Sequence, residues 1–245
     1  MNYEEKVFFE TINNKKIFCV LSEPENNQKK MVIMNHGFRG SNIGPARTFV
    51  DFSRLLAVEG YSVLRFDQAN SANSEGNYLE SSFKEWVETS KFFALKYFQL
   101  GYKKIALLGH SLGGASAIVT TSAAELKDKI KCLLLWAPGD FEGQNNVDLE
   151  KIYEQKGQQF KGKFLDEVKE SKVKECLMNY QGGIHLVFGE SDRYISEASR
   201  NKFKEIVQSK GEDYLMLPGQ DHSDWEFKWA QKVYEEEIKK LKNYF

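Results

Sequence analysis

No stretch of this 245-residue chain approaches ~20 consecutive apolar residues, the length a helix needs to cross a bilayer. Cysteine is scarce: Cys19, Cys132 and Cys176 are the only three. They form no C-x-x-C and no even-numbered framework, which excludes a disulfide scaffold and a thiolate metal cluster. Cys19 and Cys132 lie in apolar runs, where a small buried thiol is the ordinary occupant. An excess of one charge is also missing, since 34 Lys and Arg face 35 Asp and Glu for a net charge of −1. Without a basic surplus there is no electrostatic footprint for nucleic acid or an anionic membrane. The opening Met1-Asn2-Tyr3-Glu4-Glu5-Lys6 lacks the basic-then-apolar profile of a secretion signal. The expectation is a reduced, cytoplasmic setting. Histidine is limited to four positions, which narrows any imidazole chemistry to a short set of candidates.

The residues present fit a globule with a sizeable core, 41% apolar and 28% charged. Strand-like runs fall at 7–11, 16–21, 31–36, 61–67, 104–109, 131–137, 184–189 and 214–217. The first two read as an antiparallel hairpin turning at Asn13-Asn14. The later runs are short and rich in Ile, Val and Leu, as strands buried on both faces are. Helical patterns lie between them. One covers 48–59, opened by Pro45 and stopped by Gly60. A capping box at Ser82 and Glu85 opens another, with Phe83, Trp86, Val87, Phe93, Ala94 and Tyr97 on its apolar face. Others cover 112–125 and 197–210, and Ser223 with Glu226 reads as a second capping box ahead of the last helix. Strand–helix alternation implies right-handed crossovers and a parallel sheet with helices on both faces. The rhythm breaks only between Asp140 and Gln181. That charged, Gln-rich stretch carries Gly143, Gly157 and Gly162, and it reads as an insertion with short helices over 149–156 and 164–178.

Gly109-His110-Ser111-Leu112-Gly113 joins the apolar run 104–108 to an Ala-rich helical segment. A G-x-S-x-G at a strand–helix junction is a sharp turn, with the serine at its apex projecting outward. A hydroxyl so placed attacks an acyl carbon if a base removes its proton. His110 leaves the turn in another direction, His185 lies inside a strand, and His36 begins His36-Gly37-Phe38. His222 remains, in the loop after the last strand, as the general base. A carboxylate must orient that base. Asp192, after the strand 184–189, gives the order Ser…Asp…His, and Asp140 is the alternative ahead of Glu190, Asp221 and Asp224. The oxyanion of a tetrahedral intermediate needs two aimed N–H donors. The candidates are Leu112, at a helix start, and Phe38, whose neighbour Gly37 permits close approach. No clustered ligand pattern calls for a metal or an organic cofactor.

Taken together, His36-Gly37-Phe38, Arg65-Phe66-Asp67, Gly109-His110-Ser111-Leu112-Gly113-Gly114, Gly189-Glu190-Ser191-Asp192 and Asp221-His222 resemble the α/β-hydrolase superfamily. The resemblance implies one domain over 1–245. Its mostly parallel eight-stranded twisted sheet would carry a small helical cap at 140–181, inserted after the sixth strand. It implies Ser111, His222 and Asp192 as nucleophile, base and acid, with Phe38 and Leu112 at the oxyanion. The His-Gly-Phe loop and the insertion are similar to those of small feruloyl and cinnamoyl esterases, with monoacylglycerol lipases and serine aminopeptidases as relatives. Many relatives continue Gly-His-Gly-x-Ser after Arg-Phe-Asp, whereas this chain continues with Gln68-Ala69-Asn70-Ser71. The expected activity is hydrolysis of a small-molecule carboxylic ester through an acyl-enzyme, with no cofactor, nucleic acid or membrane. Whether two chains pair as a homodimer stays open. A peptidase or amidase, anchored by Asp140 or Glu142, is the second reading, and a catalytically dead binding module the third. Phe141, Tyr153, Phe160, Phe164 and Tyr180 are candidate pocket walls. Trp225 is a candidate for the mouth or for the core face of the last helix.

Overall fold

The computed structural model describes residues 2–141 and 147–245. Its strands are β1 (Tyr3–Ile12), β2 (Lys15–Pro24), β3 (Lys30–Asn35), β4 (Ser62–Phe66), β5 (Lys104–His110), β6 (Ile130–Trp136), β7 (Ile152–Gln155), β8 (Gln158–Lys161), β9 (Gly183–Gly189) and β10 (Tyr214–Leu217). Its helices are α1 (Thr48–Val58), α2 (Phe83–Gln99), α3 (Leu112–Thr120), α4 (Gly162–Glu170), α5 (Val173–Asn179), α6 (Glu197–Ser209) and α7 (Phe227–Tyr244). Eight strands form one sheet in the order β1-β2-β4-β3-β5-β6-β9-β10. Every pairing from β4 to β10 is parallel, and β2 runs antiparallel to both neighbours.

Alternation along each strand explains why both faces must be covered. Met31, Ile33, Ile105, Leu107, Leu133 and Leu135 point into one apolar layer, sealed by α2, α3 and α6. Val32, Met34, Ala106, Leu108, Cys132 and Leu134 point into the other, sealed by α1 and α7. Burying each such aliphatic side chain is worth roughly 1.5–3 kcal/mol, so the central strands can sit nowhere else. Asn13 and Asn14 both take positive φ at the first hairpin turn, 49° and 62°, as a two-residue primed turn requires. Cys19 and Cys132 are buried, and burial pushes the Cys19 thiol up to about 12. No helix among the described residues is long and apolar enough to cross a membrane.

Four local expectations are corrected. The stretch 149–156 is no helix: β7 and β8 form a hairpin there, turning at Lys156-Gly157 with φ of 49° and 80°. The stretch 164–178 is two helices, because Lys172 takes a left-handed φ of 48° and re-aims the chain. The helix after Ser111 stops at Thr120, short of 125, and a 3-10 turn follows at Ala124–Leu126. The second capping box does not form. The last helix starts at Phe227, and the Ser223 hydroxyl turns to Asp224 instead. At Ser82 half of the expected box is present: its hydroxyl accepts the Glu85 N–H at 3.2 Å, while the Glu85 carboxylate serves Lys15 and Asn70. Glu142 and Gly143 lie outside the described residues.

The strand order sets where the loops of the sheet converge. The chain leaves β3 for β4 on one side, then crosses to place β5 on the other side of β3. Such a reversal opens a crevice at the carboxyl ends of the strands, because the two loops leave in opposite directions. Asn35 pairs with Gly109 at that edge, so the loop after β3 and the turn after β5 start side by side.

Candidate functional site

Ser111 sits at φ 55°, ψ −124°, a conformation costing of order 1–3 kcal/mol that persists only when its surroundings hold it. Those surroundings are backbone. The Ser111 N–H donates to Trp136 O at 2.8 Å, and its carbonyl accepts from Gly114 at 2.9 Å. The glycines are steric necessities: a Cβ on Gly113 would stand 2.0 Å from Asn35 O, and one on Gly109 would stand 2.3 Å from Gly113 O. A Cβ on Gly37 would meet the Ser111 Cβ at 2.8 Å, so the loop after β3 crosses close over the serine. Among the described residues, neither Phe38 nor Leu112 spends its N–H on a loop or turn hydrogen bond. Both residues line the cavity that Ser111 faces.

Across the cavity stands His222, buried, its Nδ1 2.8 Å from Asp192 Oδ2. The other carboxylate oxygen, Oδ1, accepts the N–H groups of Tyr194 and Ile195 at 2.8 and 2.9 Å. One oxygen is thus fixed by the backbone, and that aims the other at the imidazole. Burial pushes the Asp192 carboxyl up, but its bond to His222 and these two N–H donors outweigh burial and hold it below the usual range. The loops carrying the pair are tied together, with Ser191 N–H donating to Gln220 O at 2.8 Å. A Cβ on Gly189 would lie 2.2 Å from Asp221 O, so only glycine lets them cross. The Ser111 hydroxyl makes no hydrogen bond with another described residue. In a resting site the serine–imidazole contact is commonly loose and tightens as substrate seats.

Competing acids are otherwise engaged. Asp140 pairs with Lys174 at 2.5 Å, both side chains buried, and accepts the Ser199 hydroxyl at 3.1 Å. Glu190 accepts the Gly219 N–H at 3.0 Å. Asp221 holds Arg193 and the His222 N–H. Burial pushes its carboxyl up, yet Arg193 and the backbone donors win and bring it down to about 2. Asp224 is exposed on the cavity rim.

The other histidines have structural posts. His36 Nε2 accepts the Gln68 N–H at 2.8 Å, so its Nδ1–H donates to Gly37 O at 2.8 Å, pinning the loop after β3 to the loop after β4. His185 meets the buried Glu237 at 3.2 Å. The ring of His110 lies 5.1 Å from that of His222, with Nε2 3.2 Å from the His222 carbonyl. Burial, with His222 nearby, lowers His110 to about 3, so it is neutral and donates that bond. Sequence reasoning missed three further supports. Tyr194 lays its ring 5.2 Å from His222. Arg200 donates to the carbonyls of Asp192 and Ile195 at 2.7 Å each. Arg39 lines the cavity beside Phe38. The bulky side chain of Tyr194, two residues after Asp192, is the one signal that could have found any of them.

The cavity measures about 940 Å³. Phe141, Tyr153 and Phe160 line it, as expected. Phe164 and Tyr180 do not: Phe164 packs on Phe38, Phe83 and Trp86, and the Tyr180 hydroxyl donates to Ile130 O. Trp225 takes the core position, 5.5 Å from Trp136, with its indole N–H on Asp221 O. The Arg65-Phe66-Asp67 motif is structural. Asp67 accepts four hydrogen bonds from Asn42 and Asn73, and Arg65 holds Asn42 and Glu5. The departing loop after it is equally tied, with Ser74 bridging Phe18 N–H and Asp67 O.

The sheet order and the serine turn after β5 define an α/β hydrolase. The chain belongs to the serine aminopeptidase (S33) family, whose model matches residues 26–180. That match takes in Phe38 and Ser111 and ends before Asp192 and His222. A putative esterase/lipase 2 of Mycoplasma pneumoniae is 34% identical over 107 residues, covering 43% of this chain and 37% of its own. Human (lyso)-N-acylphosphatidylethanolamine lipase is 30% identical over 136 residues, covering 53% and 36%. The alignments thus span little more than a third of those relatives' lengths. Among solved structures, Est1E of Butyrivibrio proteoclasticus with bound ferulic acid superposes with a TM-score of 0.80 at 22% identity, over 96% of this chain and 99% of its own. Dienelactone hydrolase of Anabaena variabilis gives 0.71 at 13% identity, over all of both chains. These likenesses show the fold.

Proposed function

We propose that the protein is a serine carboxylesterase acting on small-molecule esters with short or hydroxycinnamoyl acyl groups, through an acyl-enzyme. His222 takes the Ser111 proton as Oγ attacks the ester carbonyl. The oxyanion then accepts from the N–H groups of Phe38 and Leu112, each such donor being worth about 2.7–4 kcal/mol. His222 next protonates the leaving alkoxide, and finally activates the water that frees the acid. Asp192 fixes the tautomer, since an Nδ1–H donated to Oδ2 leaves Nε2 lone-paired for the serine. One observation carries the reading: the buried 2.8 Å His222–Asp192 contact stands on the same cavity as a serine held in a strained elbow.

The segment 140–181 acts as a cap in this reading, and its apolar rings Phe141, Tyr153 and Phe160 take the acyl group. A free α-amino group, as an aminopeptidase substrate carries, needs an unengaged buried carboxylate. Of the two candidate anchors, Glu142 lies outside the described residues and Asp140 is paired with Lys174, which favours an ester. The ferulic acid bound by Est1E supports the aromatic acyl class. The test is labelling with a fluorophosphonate, mapping of the adduct, and a panel of p-nitrophenyl esters beside aminoacyl anilides. The reading expects an adduct on Ser111 and ester turnover well above anilide turnover. An unlabelled Ser111, or labelling unchanged by His222→Ala, would overturn it.

A further inference from the structure

Arg39 stands out once the charges around the cavity are paired off. It directly follows Phe38, lines the cavity and is only partly exposed. Its Nε is buried with no acceptor among the described residues. None of its guanidinium N–H groups bonds to a described residue, and a cation that lines a cavity without a paired anion is a ready partner for one. The described acids of the cavity wall do not supply one: Asp140 pairs with Lys174. The remaining acids on the cavity wall among the described residues, Glu154 and Asp224, are exposed, where water screens them. The root of the side chain is fixed as well. Arg39 holds a left-handed φ of 57°, and its N–H donates to the Tyr78 hydroxyl at 2.8 Å.

We propose that Arg39 is an anion-recognising residue, and that the favoured esters carry a carboxylate or phosphate a few atoms from the scissile carbonyl. The inference rests on the esterase reading for the word ester, but not for the anion subsite. A guanidinium offers planar paired donors that match both anions and stays charged at any working pH. Its place next to the oxyanion donor Phe38 sets the distance, because the anion must lie on the same small substrate as the reacting carbonyl. The anion has two possible sources, the acyl chain or the alcohol.

Two substrate pairs separate them. The acyl arm compares p-nitrophenyl hydrogen glutarate with p-nitrophenyl pentanoate. The alcohol arm compares monobutyrylglycerol phosphate with monobutyrylglycerol. The wild type is expected to prefer the anionic member of at least one pair by roughly 10- to 100-fold in kcat/KM, the weight of a hydrogen bond to a charged group. In Arg39→Gln that ratio falls to near one, chiefly through KM, and Arg39→Lys restores part of it. Equal turnover within both pairs, or a preference that survives Arg39→Gln, overturns the proposal while leaving the esterase reading intact. If no ester turns over and Ser111 resists labelling, the esterase reading fails alone. The subsite is then judged by calorimetric titration with monomethyl glutarate and with glycerol phosphate. Binding of either to wild type that is lost in Arg39→Gln sustains it, and no binding of either overturns it.

Discussion

The loops that follow β3, β5, β9 and β10 and the insert between β6 and β9 line one cavity, yet they are held by different means. The loops are fixed by main chain: Ser111 N–H on Trp136 O, Ser191 N–H on Gln220 O, and glycines that allow backbones to touch. The insert is held by side chains, with Phe164 packed on Phe38, Phe83 and Trp86 beneath it. Glu167 accepts from the Ser82 hydroxyl and Lys84 N–H, Lys161 pairs with Glu80, and Lys156 donates to the Tyr194 hydroxyl. Main-chain anchoring does not depend on side-chain identity, since every residue has the same backbone, so substitution moves the sheet edge little except at the glycines, where a Cβ would clash. Side-chain anchoring allows the insert to change while the sheet edge stays put. In the proposed reading, chemistry belongs to the first region and substrate choice to the second, with Arg39 the selecting residue proposed on the rigid side.

The sharpest way to break that division is at its rigid end. Ser111→Ala should cut turnover of every ester by about a million-fold, whatever the acyl group. Steady-state kinetics on three unrelated esters checks it, and a loss confined to one ester would place chemistry elsewhere. Asp192→Asn comes next. An amide can present its N–H₂ to Nδ1 and so favour the wrong tautomer, at a cost of about ten-thousand-fold in kcat. The fold should survive, because the amide oxygen can still accept from Tyr194 and Ile195.

Acid exposes the rigid side in another way. His110 is lowered to about 3 by burial, so the unfolded chain binds a proton there before the folded chain does. Unfolding is then favoured as pH falls from the reference histidine value of about 6.5 toward 3. Asp192, held below its usual range, acts in the same direction at the lower end, since its stabilisation is lost as it protonates. Denaturant midpoints at a series of pH values should decline across that window, and less steeply in His110→Gln. Parallel declines would mean another group sets the slope.

The same contrast explains what the sequence discloses. Ser111, Asp192 and His222 each follow an apolar strand run, and parallel strand ends meet at one edge, so their convergence is readable from residue order alone. Phe38 is readable because Gly37 marks a close approach. The insert is harder. Ile152–Gln155 alternates over only four residues, too briefly to separate a strand from a helix, and only the turn signal Lys156-Gly157 favours the hairpin. The break at Lys172 has no glycine or proline to announce it. His110 and Arg200 support the site through carbonyls, and no side-chain pattern marks which carbonyl a ring or guanidinium will reach.

Within the insert, effects should shrink and become selective. Tyr153 stacks on Phe160 with ring centroids 5.7 Å apart. Tyr153→Ala should lower the kcat/KM ratio of a hydroxycinnamoyl over an acetyl ester by roughly 5- to 10-fold, the order of one aromatic contact. An unchanged ratio would move the acyl site off this wall.

Glu167→Gln tests the mildest consequence. Glu167 belongs to α4 but sits against the first turn of α2, where its charge meets the positive end of a 17-residue helix. The glutamine oxygen can still accept from Ser82 and Lys84, so the variant removes charge and keeps the hydrogen bonds. The loss should be about 0.3–1 kcal/mol, the usual weight of a carboxylate at a helix start. Because that contact joins the insert to the body, the loss should appear locally. Amides of α4 should exchange faster with solvent while those of β5 do not change. Equal acceleration in both would show that the insert unfolds only with the sheet, and the two regions would then be one cooperative unit.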